Sequence, residues 1–482
     1  MIRNSLLLGS LLSVLERVGR WYEKSFLCRA FSAVSATLSR SFDASVIVSW
    51  FRADWDARTR VARLGRPVLR GVERVQRCCA GDGAFAQRLR ASVVLRLLDE
   101  RCIMLVLCAV GFAVPFVPTL LLLLGVLAAF VLWLLNVLLG RIRAGEMGLV
   151  GLFGLLFALC YALSALTSPA CPDSLEDMLM LLGLMTVMPV AGSVLRTERR
   201  QNIFLTVLLC SAVIVSLHGI YQYVTGVAID PAWVDSKSFA DLTSRAYSTF
   251  GNPNVMGEYL IVTCSWSVGM LWKAKKPVWK LFYLAAAGTM GLALLATGSR
   301  GSMLGLAVSA LVFVLFAEHR LIPLAVLAAA AMPFLLPESI KARFLGAIAG
   351  TDSSTQYRMS IYGACFAMAK DYWLTGIGVG AFALIYPRYV YAASNAYHSH
   401  NLFLQVFLEL GIFGFAALML LLIAWCQRLY RSIAGDKTRR RFLTGVCLSG
   451  MVGLLVQGLT DHLWFNYRIV FLFFLTLGVG LA

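Results

Sequence analysis

Three arginines and two histidines stand in local contexts that suit them to chemistry. Arg300 lies in Ala-Thr-Gly-Ser-Arg-Gly-Ser, Arg358 in Gln-Tyr-Arg-Met-Ser-Ile-Tyr, and Arg245 in Ser-Arg-Ala-Tyr-Ser-Thr-Phe-Gly-Asn-Pro-Asn. A guanidinium is planar, stays charged at every relevant pH and binds phosphate oxygens two at a time, so a cluster of them suits a diphosphate. The plainer reading is that each arginine anchors a helix end or pairs with a local aspartate. His398 and His400 flank a serine in Tyr-His-Ser-His-Asn, directly before a long apolar stretch. A neutral imidazole at His400 can take the proton of an incoming hydroxyl, because imidazoles titrate near pH 6.5. A capping or packing role at a helix start is the alternative. Two histidines also raise the question of a metal, but no neighbouring carboxylate or cysteine completes a ligand set, and none is expected.

Around these groups stand polar residues with a structural and a binding reading each. Asn401, Gln405 and Glu409 recur every four residues and share one helix face. Glu409 falls about two turns into its helix and Glu258 about one turn into another, depths at which a charge faces the bundle interior. Both also read as interhelical hydrogen-bond partners. In Gly-Asn-Pro-Asn, Pro253 restricts Asn252 to extended geometry and Asn254 is placed to cap the next helix. A cap alone is the favoured reading, with contact of the two amides to sugar hydroxyls as the alternative.

The elements that must position these residues are membrane helices. Of 482 residues, 59% are hydrophobic and 14% charged, with a mean hydropathy of +0.77, which excludes an ordinary soluble globule. The apolar residues cluster into runs, and about 20 helical residues cross the hydrocarbon core. Such runs occupy 102–115, 119–139, 148–166, 175–195, 203–224, 255–272, 278–296, 302–316, 321–336, 402–425, 442–459 and 467–482. The expectation is an all-α integral membrane protein of about twelve transmembrane helices.

Charge orients them. Arg141 and Arg143, then Arg196, Arg199 and Arg200, then Lys273, Lys275, Lys276 and Lys280, then Arg320, then the cations from Arg428 to Arg441 fall on alternate connections, which therefore face the cytoplasm. The connections 167–174, 225–254, 297–301, 337–400 and 460–466 face outward, and 337–400 is the main outer loop. Arg300, Arg358, Arg245 and the histidines all lie on that outer side. The net charge of +18 follows from cytoplasmic anchoring and a basic segment over 1–101, so no nucleic-acid partner is expected. That segment carries Leu11, Leu12, Val14, Leu15, Val18 and Trp21 at helical spacing. It reads as a basic amphipathic cytoplasmic element lying on anionic lipid, or else as a solvated tail. No cleavable signal peptide is expected, since the first long apolar run begins only near Cys102. The twelve cysteines lie mostly in apolar runs or cationic segments and read as unpaired.

Several of these stretches resemble the O-antigen ligase and polymerase superfamily of bacterial membrane glycosyltransferases. They are His-Gly-Ile-Tyr-Gln-Tyr at 218–223, Ser-Thr-Phe-Gly-Asn-Pro-Asn at 248–254, Thr-Gly-Ser-Arg-Gly at 297–301, Arg358 with Tyr362, and His-Asn-Leu-Phe-Leu-Gln at 400–405. The resemblance runs from about Cys102 to residue 482 and leaves out the basic segment. It implies a metal-independent, inverting enzyme of GT-C-like fold, without a cofactor, in the bacterial inner membrane with its N-terminus cytoplasmic. Such an enzyme moves an oligo- or polysaccharide from undecaprenyl diphosphate to an acceptor hydroxyl on a glycan, a glycolipid or another molecule. By the same resemblance, Arg300 and Arg358 hold the donor diphosphate and His400 positions or deprotonates the acceptor. Arg245, Asn252, Asn254, His398 and Asn401 are candidate substrate-binding residues.

A polysaccharide polymerase of the same superfamily differs from a ligase chiefly in its acceptor. A transporter of lipid-linked glycans is the competing class. Transporters tend to show internal repeats and charges at the membrane midplane, whereas here no convincing repeat is visible and the unusual arginines lie at the outer boundary.

Overall fold

A computed structural model describes residues 66–80, 97–143, 147–227, 244–335, 353–390, 396–435 and 440–482, with isolated positions elsewhere. The residues from Leu11 to Trp21 lie outside them. Among the described residues the chain is helical and contains no strand. The helices are α1 (Arg66–Ala80), α2 (Glu100–Ala113), α3 (Thr119–Leu138), α4 (Gly148–Leu166), α5 (Asp173–Met185), α6 (Val187–Val194), α7 (Glu198–Thr225) and α8 (Pro253–Lys273). They continue as α9 (Pro277–Ala296), α10 (Arg300–Phe316), α11 (Ile322–Leu335), α12 (Ser353–Tyr372), α13 (Phe382–Ile385), α14 (Leu402–Gly435), α15 (Arg440–Gln457) and α16 (Tyr467–Leu481).

Every apolar run expected from hydropathy is helical. Among the described residues, six spans are long and apolar enough to cross a membrane: α3, α4, α5 with α6, α7, α9 and α14. Helices α10, α11, α15 and α16 are apolar but shorter. The run expected over 175–195 is broken at Thr186, because Pro189 has no N–H to give to the Met185 carbonyl. Leu105, Leu155 and Leu292 turn outward at 70%, 73% and 63% exposure, the side chains of a bundle solvated by lipid rather than water.

Helix α8 is the centre. Tyr259, Leu260, Ile261 and Trp266 are fully buried, and α7, α9, α10, α15 and α16 pack around it. Small residues let these helices approach closely. A methyl group on either Gly305 of α10 or Gly453 of α15 would collide with the other's carbonyl. Nearby, Ser265 and Ser309 exchange a hydrogen bond of 2.7 Å between α8 and α10.

The bundle has two chemically different ends. At one, an Arg200–Glu100 ion pair ties α7 to α2, Asn136 donates to Leu98 O at 2.9 Å, Gln76 of α1 donates to Val137 O at 2.7 Å, and Lys273 donates to Gln201 at 3.1 Å. At the other, Arg468 donates to Val117 O at 3.1 Å and to Thr249 O at 3.3 Å, and Leu402 N donates to Gly458 O at 2.7 Å. The connections dense in cations thus gather opposite the end that carries His400.

Helix α14 is interrupted at Gly411 (φ 65°, ψ −169°), about two and a half turns in from Leu402. A break at such depth frees backbone groups that lipid cannot satisfy. The segment after α12 satisfies them. Ile377 N donates to Leu408 O at 2.7 Å, Gly378 N to Glu409 O at 3.2 Å, and Ile412 N to Trp373 O at 2.8 Å. Gly376 and Gly411 face one another so closely that a Cβ on either would strike the other segment's backbone.

Candidate functional site

The turn that carries the two histidines is built by its own polar side chains. Asn401 caps α14, accepting from Leu404 N at 3.0 Å, while its amide donates to Leu459 O at 3.0 Å. Gln405, one turn on, accepts from Ser399 N at 2.7 Å and donates to Glu409 at 2.9 Å, so the shared helix face works as a hydrogen-bond ladder. Between these anchors His400 takes a left-handed conformation, φ 51°, which a residue with a Cβ adopts only when its surroundings enforce it. Tyr362 of α12 supplies part of that enforcement: its hydroxyl lies 3.2 Å from His400 O and 3.1 Å from Leu459 O.

The left-handed turn swings the His400 ring toward the loop between α15 and α16, where it meets Asp461. His400 Nδ1 lies 3.4 Å from Asp461 Oδ1. The same oxygen accepts from His462 N at 2.9 Å, and Oδ2 accepts from the Asn254 amide at 2.9 Å. Asp461 is 8% exposed. Burial works to raise its carboxyl, but the hydrogen bond and charge of His400, with the charges of Arg358 and His398, overcome that and hold it well below the usual carboxylate range. An anionic Asp461 fixes the proton of neutral His400 on Nδ1 and leaves Nε2 with its lone pair free.

The His398 ring lies tilted against that of His400, ring centres 4.2 Å apart. Its Nδ1 accepts from His400 N at 3.2 Å, which puts the proton of the neutral ring on Nε2. Burial first, then the charges of His400 and Arg358, lower His398 to about 4 against the opposing pull of Asp461. His462 falls to about 3, through burial and the charges of His398 and His400, with Asp461 again opposing. Both rings are therefore neutral near pH 7. The Tyr357 ring meets His400 edge-on at 5.8 Å.

The two arginines come to this turn from different helices. Arg358, partly buried on α12, is near enough to Asp461, His398 and Tyr362 for its charge to act on all three. Arg300 is the first residue of α10, whose cap is Ser299, accepting from Ser302 N at 3.4 Å. The following Gly301 has no side chain because Gln457 and Thr460 occupy the space a Cβ would take. The Arg300 end of α10 thus abuts the turn that leads into Asp461.

Other candidates also make contacts within the protein. Arg245 is 8% exposed and donates to Thr297 O at 2.8 Å and to Asn254 Oδ1 at 3.4 Å, so these guanidinium contacts are made to protein. The cap of α8 is Asn252, which accepts from Asn254 N at 2.8 Å, and not Asn254. Pro253 takes the first helical position and forces that register. Asn254 instead bridges Arg245 to Asp461. The residue that sequence reasoning missed is Asp461. It is one acid in the short loop between α15 and α16, 61 positions from His400, and its one signal was a carboxylate just beyond the end of an apolar helix.

Asp461 also alters the metal question, since it supplies the carboxylate absent near His398 and His400 in sequence. One ligand atom from each of the three lies within 4.8 Å of the others. The hydrogen bonds among them account for the same closeness without an ion.

Residues 285–419 match a family model described as O-Antigen ligase. The match takes in Arg300, Arg358, His398 and His400 and stops before Asp461. No curated protein matches the chain.

Proposed function

We propose, from the O-antigen ligase domain that residues 285–419 form, that this multi-pass membrane protein is a glycosyltransferase acting on undecaprenyl diphosphate-linked glycan at the extracytoplasmic face of the bacterial inner membrane. The observation that carries this reading is the convergence of Arg300, Arg358 and an Asp461-oriented His400 on one end of the bundle, opposite the end dense in cations. That distribution supports a cytoplasmic N-terminus; the reading carries with it about twelve spans, 1–101 as a cytoplasmic segment and 102–482 as a GT-C-like enzyme domain.

The chemistry follows from the geometry. Nε2 of His400 takes the proton of the acceptor hydroxyl while that oxygen attacks the anomeric carbon. The bond from that carbon to the diphosphate oxygen breaks, and the electron pair leaves with undecaprenyl diphosphate. Arg300 and Arg358 meet the charge that develops there, which fixed cations at a lipid boundary do effectively. Asp461 stabilises the imidazolium as it forms. A single displacement inverts the anomeric centre. No step calls on a metal or cofactor. The acceptor is a glycolipid or glycan hydroxyl, as a ligase would use; a growing chain in that place makes a polymerase. The test is transfer of labelled glycan by the purified chain from undecaprenyl diphosphate to rough lipopolysaccharide; absence of transfer, with the donor also left unpolymerised, would refute the reading.

A further inference from the structure

The His398 ring is shared between His400 and a cavity of about 330 Å³, near the lower limit of the roughly 300–1,000 Å³ typical of small-ligand pockets. None of its lining residues is a lysine or arginine, so it is no place for a diphosphate. Two acidic side chains line it instead. Glu409 Oε1 is held by Gln405 Nε2 at 2.9 Å and Gly380 N at 3.2 Å, and Asp177 Oδ1 accepts from the Tyr467 hydroxyl. That leaves Glu409 Oε2 and Asp177 Oδ2 without a hydrogen-bond partner among the described residues. Tyr161 and Trp464 add aromatic rings to the wall. Tyr397 and Phe465 stand at its edge, 76% and 60% exposed, and mark its mouth.

Carboxyl oxygens accept from hydroxyls in either protonation state, aromatic faces cover the C–H face of a ring, and missing cations disfavour an anion. We infer that this cavity is a subsite for one uncharged sugar residue, held through its hydroxyls by Glu409 and Asp177 and presented beside His398 to the His400–Asp461 pair. The subsite rests on the glycosyl-transfer reading and adds a place for sugar to it. The sugar belongs either to the acceptor or to the donor glycan.

The test is protection of position 397 in the full-length Tyr397→Cys protein, where a substitution at so exposed a residue leaves the fold intact. Reaction with a maleimide is read at that position by peptide mass spectrometry, in the presence of rough lipopolysaccharide, an undecaprenyl diphosphate-linked oligosaccharide, sugar-free undecaprenyl diphosphate, or inorganic pyrophosphate. The expected result is labelling slowed about tenfold by one glycan-bearing ligand and not by the two sugar-free ones. Protection by lipopolysaccharide assigns the sugar to the acceptor, and protection by the lipid-linked oligosaccharide assigns it to the donor or growing chain. Asp177→Asn and Glu409→Gln should each raise the protecting concentration about tenfold, the scale of one hydrogen bond to a charged group. If either variant fails to fold, protection at position 397 decides alone. Equal protection by sugar-free lipid, or none by either glycan, overturns the subsite. Because no turnover is needed, protection without transfer would refute the enzymatic reading and leave the subsite standing.

Discussion

Asp461 receives the His400 ring and the Asn254 amide on its two carboxylate oxygens, at 3.4 and 2.9 Å, and so joins three separate segments of the chain at one buried charge. Asp461→Asn keeps the shape and removes the charge. Transfer should fall by roughly 10²-fold or more, in kcat rather than KM, because the amide no longer holds the His400 tautomer or stabilises its protonated form. Steady-state kinetics of the purified variant check this, and a change confined to KM would show that Asp461 only shapes binding.

Arg300→Ala and Arg358→Ala should each lower transfer by at least about 10²-fold, as expected when charge stabilisation of a leaving group is lost. Arg→Lys at either position should recover little, since an ammonium cannot bind two phosphate oxygens in one plane. Both proteins should reach the membrane in normal amount, which immunoblotting of fractions reads. Full activity in either alanine variant would remove that arginine from the donor site.

Chelation separates the two uses of the histidine cluster. Transfer should persist in EDTA, because every step of the proposed displacement is carried by Arg300, Arg358, His400 and Asp461. Added Zn²⁺ should inhibit by bridging His398, His400 and Asp461, a set of tetrahedral-site ligands. Loss of transfer in EDTA with recovery on adding back one metal would reverse this reading.

Acid should destabilise the fold through the two buried imidazoles. His398 and His462 are lowered from 6.5 to about 4 and about 3, so between pH 6.5 and 4 the unfolded chain binds protons that the folded chain refuses. Stability is therefore full above pH 6.5 and declines below it. Asp461 adds nothing to that slope, since its carboxyl is ionised in both states until the pH reaches the ordinary carboxylate range. The apparent Tm should fall by about 3–5 °C from pH 7 to pH 5, and His462→Gln should flatten the decline. A pH-independent Tm would contradict the burial of these rings.

Hydropathy made the helices legible because a membrane span announces itself in every residue of the run. The 148–166 segment matches helix α4 at both ends, and even the broken span over 175–195 is one apolar run whose kink traces to Pro189. Arg300, Arg358 and His400 stand out in the sequence because each breaks a local rule, a cation at a helix end where the charge pattern expects none or an imidazole at a helix start. Asp461 does not, for an acid in a loop breaks no rule. The contacts of Arg245 and Asn254 to Thr297 and Asp461 were not legible either, because they form only where the chain folds back to place Ala246 N against Ala296 O at 3.0 Å. The exchange of caps between Asn252 and Asn254 turned on one register step that Pro253 decides.

The stitch between the Trp373–Gly378 stretch and the gap in helix α14 has a mechanical meaning. Arg358 rides on the helix that runs straight into the stitch, and His400 sits just ahead of the helix that the stitch mends. Rotation of one helix drags the other, so the backbone positions that carry guanidinium and imidazole are coupled through main-chain bonds. A hinge within the bundle would meet least resistance away from this stitch, because here it would have to break main-chain hydrogen bonds that lipid cannot replace.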